Sequence, residues 1–279
     1  MEKIKNLPDA RDFADALSAR AAAKLALFLD FDGTLAEVAE TPEAAELPEG
    51  GRGVLERLAA RWPVAVISGR DRADVRAKIG LGGITYAGSH GFDIEMAEKS
   101  ANDAGSFDAL DGGGDFKDQI NAAGERLRDE LAAIKGALVE IKHCTVAVHD
   151  RKVAEDARPS VRAAVAAVLA DFPGLRLKPG KRVYEIHPAV DWDKGRAVLW
   201  LLDALDLKRK DVMPVYVGDD VTDEDAFRAL KETFGDRCAT VVVMDREEGR
   251  GEESKTAAGF RVDGVGGVTA FLRLLLDMD

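Results

Sequence analysis

The sequence predicts an α/β protein with a doubly wound, mostly parallel sheet of the Rossmann type and an inserted α+β domain. Short apolar runs at 27–29, 64–67 and 215–217 each end abruptly in polar residues, as buried parallel strands do where they give way to loops. Between 138 and 187, in contrast, apolar and polar residues alternate, which is typical of strands with one buried face and one polar face.

Length and charge restrict the class of protein. A chain of 279 residues has room for one large domain or two ordinary ones, and its net charge of -12 argues against nucleic acid or an anionic membrane as a partner. The charges of 1–20 are unlike those of a signal peptide, and no apolar run approaches the roughly 18 residues of a membrane span. Cys144 and Cys238 are far apart, so we expect reduced thiols and a cytoplasmic protein.

The first third of the chain follows the pattern of a parallel sheet. Apolar residues at helical spacing predict a lead-in helix over 8–24 and another helix over 54–61. Asp71 is the predicted N-cap of the helix that follows the second strand. A third strand is expected over 84–87.

The composition then changes to Gly, Asp, Asn and Ser over 100–116, which predicts a linker. Beyond it the periodicity predicts the element order α-β-β-α-β-β. These elements are a helix over 117–135, strands over 138–142 and 145–150, a helix over 155–172, and a hairpin of 175–178 with 182–187. An insertion of this kind indicates a cap domain. The predicted division is a discontinuous catalytic core, 1–107 with 190–279, and a substrate-recognising cap, 108–189.

The parallel-sheet pattern resumes after the insertion. Asp193 is expected to cap a helix that begins at Lys194, and strands are expected at 215–217 and 239–244. A polar loop over 247–259 and a closing helix over 268–276 complete the predicted elements.

Two aspartates, Asp30 and Asp32, stand one residue apart directly after the first apolar strand. Open α/β sheets place their ligands at the carboxyl ends of such strands. Two carboxylates there are costly unless something cationic, such as a divalent metal, neutralises them. A carboxylate is also a competent covalent nucleophile, and a second one can act as general acid and base. A purely structural acidic turn is the alternative.

Other polar residues follow the remaining predicted strands. Arg70, after Ser68 and Gly69, either holds a phosphate through its fork of donors or faces solvent. His90 lies between glycines at another predicted strand end. Its ring either faces the cleft at the carboxyl ends of the strands or makes its hydrogen bonds within its own loop. Lys194 lies in the first turn of a helix, where a cation opposes the helix dipole. Violations of local rules tend to mark functional sites, and a surface lysine is the alternative.

Three acids, Asp219, Asp220 and Asp223, follow the strand at 215–217. So many carboxylates at one strand end require a cation close by. An all-oxygen site of this kind favours Mg²⁺.

The segment Asp30-Phe31-Asp32-Gly33-Thr34 resembles the D-x-D-G-T motif of the haloacid dehalogenase (HAD) superfamily of phosphatases. The resemblance implies that Asp30 attacks phosphorus to form an aspartyl phosphate. Asp32 would protonate the leaving oxygen and later activate water. Ser68 would hydrogen-bond the transferred phosphoryl group, and Lys194 would pair with the nucleophile and the phosphate.

The same resemblance implies a Mg²⁺ site. Its expected ligands are the Asp30 and Asp219 carboxylates and the backbone carbonyl of Asp32. Asp223 is expected to orient Lys194 or a metal-bound water. The residues expected around the phosphate or behind the site are Gly33, Gly69, Arg70, Asp220 and Asp223.

Nearly the whole chain is similar to the trehalose-6-phosphate phosphatases, a capped HAD family. The matching segments are 30–35, 68–70, 88–91, Glu140-x-Lys142, His149-x-Arg151, 184–188, Lys194-Gly195 and 218–225. The residues that would bind the sugar are His90, Glu140, Lys142, His149, Arg151 and Glu185. Periodicity agrees, because Glu140 and Lys142 share one strand face, although a solvated sheet face is the alternative. Asp93 and Asp150 depart from the family pattern.

The resemblance implies Mg²⁺-dependent hydrolysis of trehalose 6-phosphate, a small-molecule sugar phosphate, to trehalose and inorganic phosphate in the last step of trehalose biosynthesis. Functional coupling to a trehalose-6-phosphate synthase is a further expectation. The alternatives are another capped sugar phosphatase, acting on sucrose phosphate or a mannosyl phosphate, and a phosphomutase of the same superfamily. A catalytically silent sugar-phosphate-binding module is a third, but it would be expected to lack one of the four core residues Asp30, Asp32, Lys194 and Asp219.

Overall fold

A computed structural model describes residues 1–13, 24–39, 41–97, 106–108, 116–180, 182–245 and 251–278. The chain divides into two compact units, one made of Met1–Phe107 with Trp192–Asp279 and the other of Asp108–Asp191. None of the helices among the described residues is long and apolar enough to cross a membrane. The roles of the two units as catalytic core and substrate cap stay predictions.

Strands and helices are numbered along the chain. The strands are β1 (Glu2–Lys3), β2 (Lys24–Leu29), β3 (Val64–Ile67), β4 (Thr85–Gly88), β5 (Asp93–Glu95), β6 (Ser106–Asp108), β7 (Leu138–Ile141), β8 (Val146–His149), β9 (Leu175–Gly180), β10 (Val183–Pro188), β11 (Val212–Gly218), β12 (Ala239–Met244), β13 (Lys255–Thr256) and β14 (Phe260–Asp263). The helices are α1 (Gly51–Arg61), α2 (Arg72–Ile79), α3 (Phe116–Leu131), α4 (Arg158–Ala170), α5 (Lys194–Ala204), α6 (Asp223–Phe234) and α7 (Gly264–Leu276).

The first unit is built on an eight-stranded sheet in the order β14-β12-β11-β2-β3-β4-β5-β6. The pairs from β14 to β4 are all parallel, and β5 runs antiparallel to β4. Alternate strand residues face two separate apolar clusters. One cluster is covered by residues of α1, α2 and α7, and the other by residues of α5 and α6. This confirms the predicted doubly wound α/β fold.

The second unit has a four-stranded antiparallel sheet in the order β7-β8-β10-β9. Helices α3 and α4 pack on one face through a cluster that includes Leu127, Val148, Val165 and Ile186. The predicted α-β-β-α-β-β order is therefore present. In the hairpin, β9 and β10 pair with Val183 opposite Gly180.

Several predicted boundaries differ from the structure. The lead-in helix at 8–24 and the linker at 100–116 lie largely outside the described residues, but 106–108 form strand β6 rather than linker. The polar loop at 247–259 contains β13, which pairs with β1. Helix α7 begins at Gly264, four residues before the predicted 268, because burial of Val265 outweighs the poor helix propensity of its glycines.

Candidate active site

The acids and the lysine of the first unit gather at the carboxyl ends of β2 and β11. These two strands are parallel neighbours, with Leu29 beside Val217. The backbone amide of Asp30 continues the pairing by donating to Val217 O at 2.9 Å. Adjacent parallel strands therefore end together, which brings segments that are far apart in sequence to one place.

The turn after Asp30 depends on Gly33, whose φ of +77° suits glycine. A Cβ atom at this position would lie 2.3 Å from Asp219 Oδ2, so the Asp219 carboxylate packs directly on the turn. Thr34 Oγ1 donates to Asp219 Oδ1 at 3.3 Å. The glycine thus allows the two strand ends to approach closely.

Lys194 is buried, with only 3% of its side chain exposed. Its Nζ lies 2.8 Å from Asp30 Oδ1 and 2.7 Å from Asp223 Oδ1. Asp193 caps helix α5 as predicted, because its carboxylate accepts from the Arg196 amide at 2.8 Å. That cap fixes the first turn and aims the lysine into the acids, so the surface-lysine alternative is wrong.

Asp223 is completely buried and well supplied with donors. Besides Lys194, the Tyr216 hydroxyl donates to Oδ1 at 2.7 Å, and the Asp220 amide donates to Oδ2 at 2.9 Å. Its carboxylate also packs on Gly218, where a Cβ atom would lie 2.3 Å from Asp223 Cγ. Asp220 itself is exposed and contributes its amide.

The buried charges shift the pKa values of their neighbours strongly. Burial raises the pKa of Asp30 well above its ordinary value, and the carboxylates of Asp223 and Asp219 raise it further against the opposing effect of Lys194. Burial, and then Asp223, raise the pKa of Asp219 to about 7. Burial would lower the pKa of Lys194, but Asp223 and Asp30 outweigh it and raise that pKa. The lysine is thus cationic, and the acids still lack enough positive charge.

The donor set fits a divalent cation. One carboxylate oxygen each from Asp30, Asp219 and Asp223 lies within 4.8 Å of the others. Hard oxygen donors of this kind suit Mg²⁺, and a dication would offset the burial and the charge of Asp223 that raise the pKa of Asp219. The backbone carbonyl of Asp32 as a ligand stays a prediction.

Arg70 does not face solvent, since only 11% of its side chain is exposed. Its guanidinium makes a bidentate pair of hydrogen bonds to Asp32, with Nε 2.7 Å from Oδ2 and Nη2 2.6 Å from Oδ1. Nη1 donates to Asp74 at 2.8 Å and to Pro42 O at 2.7 Å. Arg70 therefore holds the side chain of Asp32, and a direct role on phosphate stays a prediction.

Ser68 and His90 belong to neighbouring strand ends that are tied together. Ser68 is buried, and its Oγ accepts from the Arg70 amide at 3.1 Å. The His90 amide donates to Ser68 O at 2.8 Å. The His90 ring packs on Gly69, where a Cβ atom would lie 2.9 Å from Cε1. Asp93, which departs from the family pattern, pairs with Arg72 at 2.8 Å just beyond.

The sugar-binding candidates of the second unit lie on the face of its sheet opposite the helices. Glu140 Oε2 is 3.2 Å from His149 Nε2 and 4.0 Å from Lys142 Nζ. The hydrogen bond from His149 lowers the pKa of Glu140, although partial burial opposes the shift. Glu185 lies one strand further along, because both it and Glu140 pair with Ala147. Arg151 is exposed in the turn after β8.

Sequence patterns missed three residues around these sites. Tyr216 looked like an ordinary strand residue because apolar residues surround it. Glu224 is 3% exposed, and it accepts from Thr256 Oγ1 at 2.6 Å and the Ala257 amide at 2.7 Å, which anchors the start of α6. His187 lies 3.5 Å from Glu185 Oε2. Strand alternation placed His187 on the same face as Glu185, so that signal was present in the sequence.

A doubly wound sheet whose D-x-D-G-T strand end meets a buried lysine and further acids defines a phosphatase of the HAD fold. Solved structures support that fold. The C. albicans trehalose-6-phosphate phosphatase C-terminal domain superposes with a TM-score of 0.73 at 20% identity, over 98% of this chain and 99% of that one. A trehalose-6-phosphate phosphatase related protein gives 0.70 at 22% identity, over 91% and 97%. At these identities the likeness shows the fold.

Sequence comparison is more specific. The model of the trehalose-phosphatase family matches residues 28–265. The proteins named trehalose-phosphate phosphatase from Mycolicibacterium paratuberculosis and Mycobacterium tuberculosis H37Rv are 41% and 40% identical over 99% and 96% of this chain. The chain spans 68% and 66% of those two relatives, so about a third of each lies outside the match. This chain belongs to the trehalose-phosphatase family, a family of phosphoric monoester hydrolases.

Proposed function

We propose that this protein hydrolyses trehalose 6-phosphate to trehalose and inorganic phosphate. The observation that carries the proposal is Lys194, buried between Asp30 and Asp223 with Asp219 alongside, in a chain of this family. The names of the relatives supply the substrate. A silent module would be expected to lack one of the four core residues, and Asp30, Asp32, Lys194 and Asp219 are all present.

Mg²⁺ is the proposed cofactor, held by Asp30 and Asp219 and, by resemblance, by the Asp32 carbonyl. When bound, it neutralises charge that develops on the equatorial phosphoryl oxygens. Lys194 supplies a second positive charge to the same oxygens from the protein side. Ser68 and the backbone amides after Asp30 are the proposed hydrogen-bond donors to the phosphoryl group.

In the first step an Asp30 oxygen attacks phosphorus as the bond from phosphorus to the sugar oxygen breaks, and Asp32 gives that oxygen its proton. In the second step Asp32 takes a proton from water, the water oxygen attacks phosphorus, and the Asp30 carboxylate leaves. Both oxygens of Asp32 accept hydrogen bonds from Arg70, so its carboxylate must turn away from that guanidinium before it can donate to the sugar oxygen.

The polar sheet face of the second unit is proposed to recognise the disaccharide. Glu140 and Glu185 offer acceptors, and Lys142, His149 and Arg151 offer donors, a mixture that suits sugar hydroxyls. His90 is the proposed sugar contact from the first unit.

We further propose that the protein works in the cytoplasm, in functional coupling with a trehalose-6-phosphate synthase. Cys144 and Cys238 form no disulfide in the described part of the chain, which suits a reducing compartment. The fold likeness to the Candida albicans trehalose synthase regulatory protein C-terminal domain, at a TM-score of 0.67 and 16% identity, motivates a test of coupling.

A panel of phosphosugars, assayed for phosphate release with and without a chelator, tests the proposal. We expect trehalose 6-phosphate to be the preferred substrate, and chelation to abolish release until Mg²⁺ is restored. Preference for sucrose phosphate or a mannosyl phosphate would assign another sugar phosphatase. Conversion of a sugar phosphate to its isomer without free phosphate would indicate a mutase, and absence of any turnover would indicate a binding module.

A further inference from the structure

Tyr216 is a buried hydroxyl behind the acids of the first unit. It lies on β11, is 0% exposed, and packs its ring edge-on against Phe227 with centroids 5.7 Å apart. A buried tyrosine hydroxyl needs a partner, and here it donates to a carboxylate, Asp223 Oδ1, at 2.7 Å. The mechanism proposed above gives this residue no task.

The same Asp223 oxygen also accepts from Lys194 at 2.7 Å. The second oxygen, Oδ2, accepts a hydrogen bond from the Asp220 amide. It also packs on Gly218, where a Cβ atom would lie 2.6 Å from Oδ2. A carboxylate has about four acceptor sites, so three donors nearly saturate it. Asp223 is therefore committed to protein donors, although its distance from Asp30 and Asp219 would let it join a cation.

We propose that Tyr216 is a positioning residue that reserves Asp223 for Lys194 and withholds it from the metal. Two donors on one oxygen hold the carboxylate facing the lysine, and the lysine in turn keeps its contact with Asp30. Without the hydroxyl, Oδ1 of Asp223 gains an unused acceptor site and can turn toward the cation. Lys194 would then lose one of the two partners that orient it. The inference rests on the proposed phosphatase function for its kinetic part only.

The test is Tyr216→Phe, which keeps the ring and its packing on Phe227. We expect kcat for phosphate release from p-nitrophenyl phosphate, a substrate without a sugar, to fall about tenfold, the effect of losing one hydrogen bond to a charged group. We expect Mg²⁺, titrated by calorimetry, to bind several-fold more tightly, because Asp223 becomes available as an oxygen ligand. A slower enzyme that binds its metal more tightly is a pattern that general destabilisation does not produce.

Tyr86→Phe is the matched control. Tyr86 is equally buried and its hydroxyl donates at the same 2.7 Å, but to the backbone carbonyl of Leu81. Its loss should lower thermal stability and leave kcat and Mg²⁺ affinity unchanged.

An unchanged kcat in Tyr216→Phe, or Mg²⁺ binding that is unchanged or weaker, would overturn the proposal. Failure of the wild-type protein to release phosphate from trehalose 6-phosphate would instead reject the proposed function. The Mg²⁺ titration of the Tyr216 variant would still decide its role.

Discussion

The two units handle charge in opposite ways. In the first, Lys194, Asp30 and Asp223 are at most 7% exposed in their side chains and share hydrogen bonds of 2.7 to 2.8 Å. In the second, Glu140 and His149 are 47% and 39% exposed and lie 3.2 Å apart. Buried charges are costly unless each is paired, so the first set tolerates little change. Exposed pairs contribute little to stability and are easily exchanged.

This difference suits a division between chemistry and recognition. Fixed, desolvated charges stabilise a transition state because they need no reorganisation when the reaction occurs. A solvent-facing set of acceptors and donors can be altered to suit another sugar without damage to the fold. The comparison therefore predicts that changes in the first unit affect all substrates, whereas changes on the polar sheet face affect only sugar substrates.

The largest expected effect comes from Asp30→Asn. Removal of the proposed covalent nucleophile should lower phosphate release by at least about 10³-fold on trehalose 6-phosphate and on p-nitrophenyl phosphate alike, with the fold preserved. Circular dichroism and a phosphate assay measure the two quantities. Asp211→Asn, an exposed carboxylate paired with Arg209 at 2.7 Å, is the control and should behave as wild type. Near-native turnover in Asp30→Asn would rule out covalent catalysis by this residue.

Gly33→Ala should have the next largest effect. The added Cβ atom would meet Asp219 Oδ2 at 2.3 Å on a backbone with φ of +77°, so the acid must move. We expect activity to fall about 100-fold on both substrates, because displacement of a catalytic geometry by an ångström costs that much. Gly53→Ala is the control, since nothing lies within 4 Å of its Cβ position in α1. It should stabilise the protein by about 0.5–1 kcal/mol through better helix propensity. Equal activity in the two variants would contradict the close approach of the two strand ends.

The pH dependence of Mg²⁺ binding tests whether the pKa of Asp219 is raised in the metal-free protein. With its pKa raised to about 7, Asp219 is protonated below that pH in the metal-free protein and must lose the proton to bind Mg²⁺. Apparent Mg²⁺ affinity should therefore fall by about tenfold or more for each pH unit below 7, because the pKa of Asp30, the other proposed carboxylate ligand, is raised as well. Calorimetry in buffers of different ionisation enthalpy would also detect the released proton. Affinity that is flat from pH 5 to 8 would show that Asp219 is already ionised.

The same raised pKa has a defined sign for stability. Between the ordinary aspartate pKa of 3.8 and about 7, Asp219 is ionised in the unfolded chain but protonated in the metal-free folded protein. The metal-free protein should lose stability as pH rises through this range, and Mg²⁺ should remove the loss. Thermal melting with and without Mg²⁺ measures the difference.

Glu140→Ala should have the smallest and most selective effect. Loss of one proposed acceptor for a sugar hydroxyl should lower kcat/KM for trehalose 6-phosphate by about 10-fold and leave p-nitrophenyl phosphate hydrolysis unaffected. Glu130→Ala on α3 is the control, because Glu130 is also an exposed acid and pairs with Arg126 away from the polar sheet face. Equal losses on both substrates would mean that Glu140 acts on the chemistry and would break the division between the two units.

Much of this architecture was readable in the sequence. The short apolar runs at β2, β3 and β11, each followed by polar residues, predicted buried parallel strands. The association of Asp30 with Asp219 was predicted from the resemblance to the HAD motifs, and the pairing of β2 with β11 brings the two strand ends together. Strand alternation likewise placed Glu140 and Lys142 on one face.

What tertiary structure alone decided is the partner of each polar group. The sequence allows Arg70 either to bind phosphate or to face solvent, and the folded structure shows that it binds Asp32. Tyr216 was indistinguishable from its apolar neighbours until the fold placed Asp223 above its hydroxyl. Periodicity fixes which face a side chain takes, since that depends on local backbone geometry. Hydrogen-bond partners depend on distances between segments remote in sequence, and these exist only once the chain has folded.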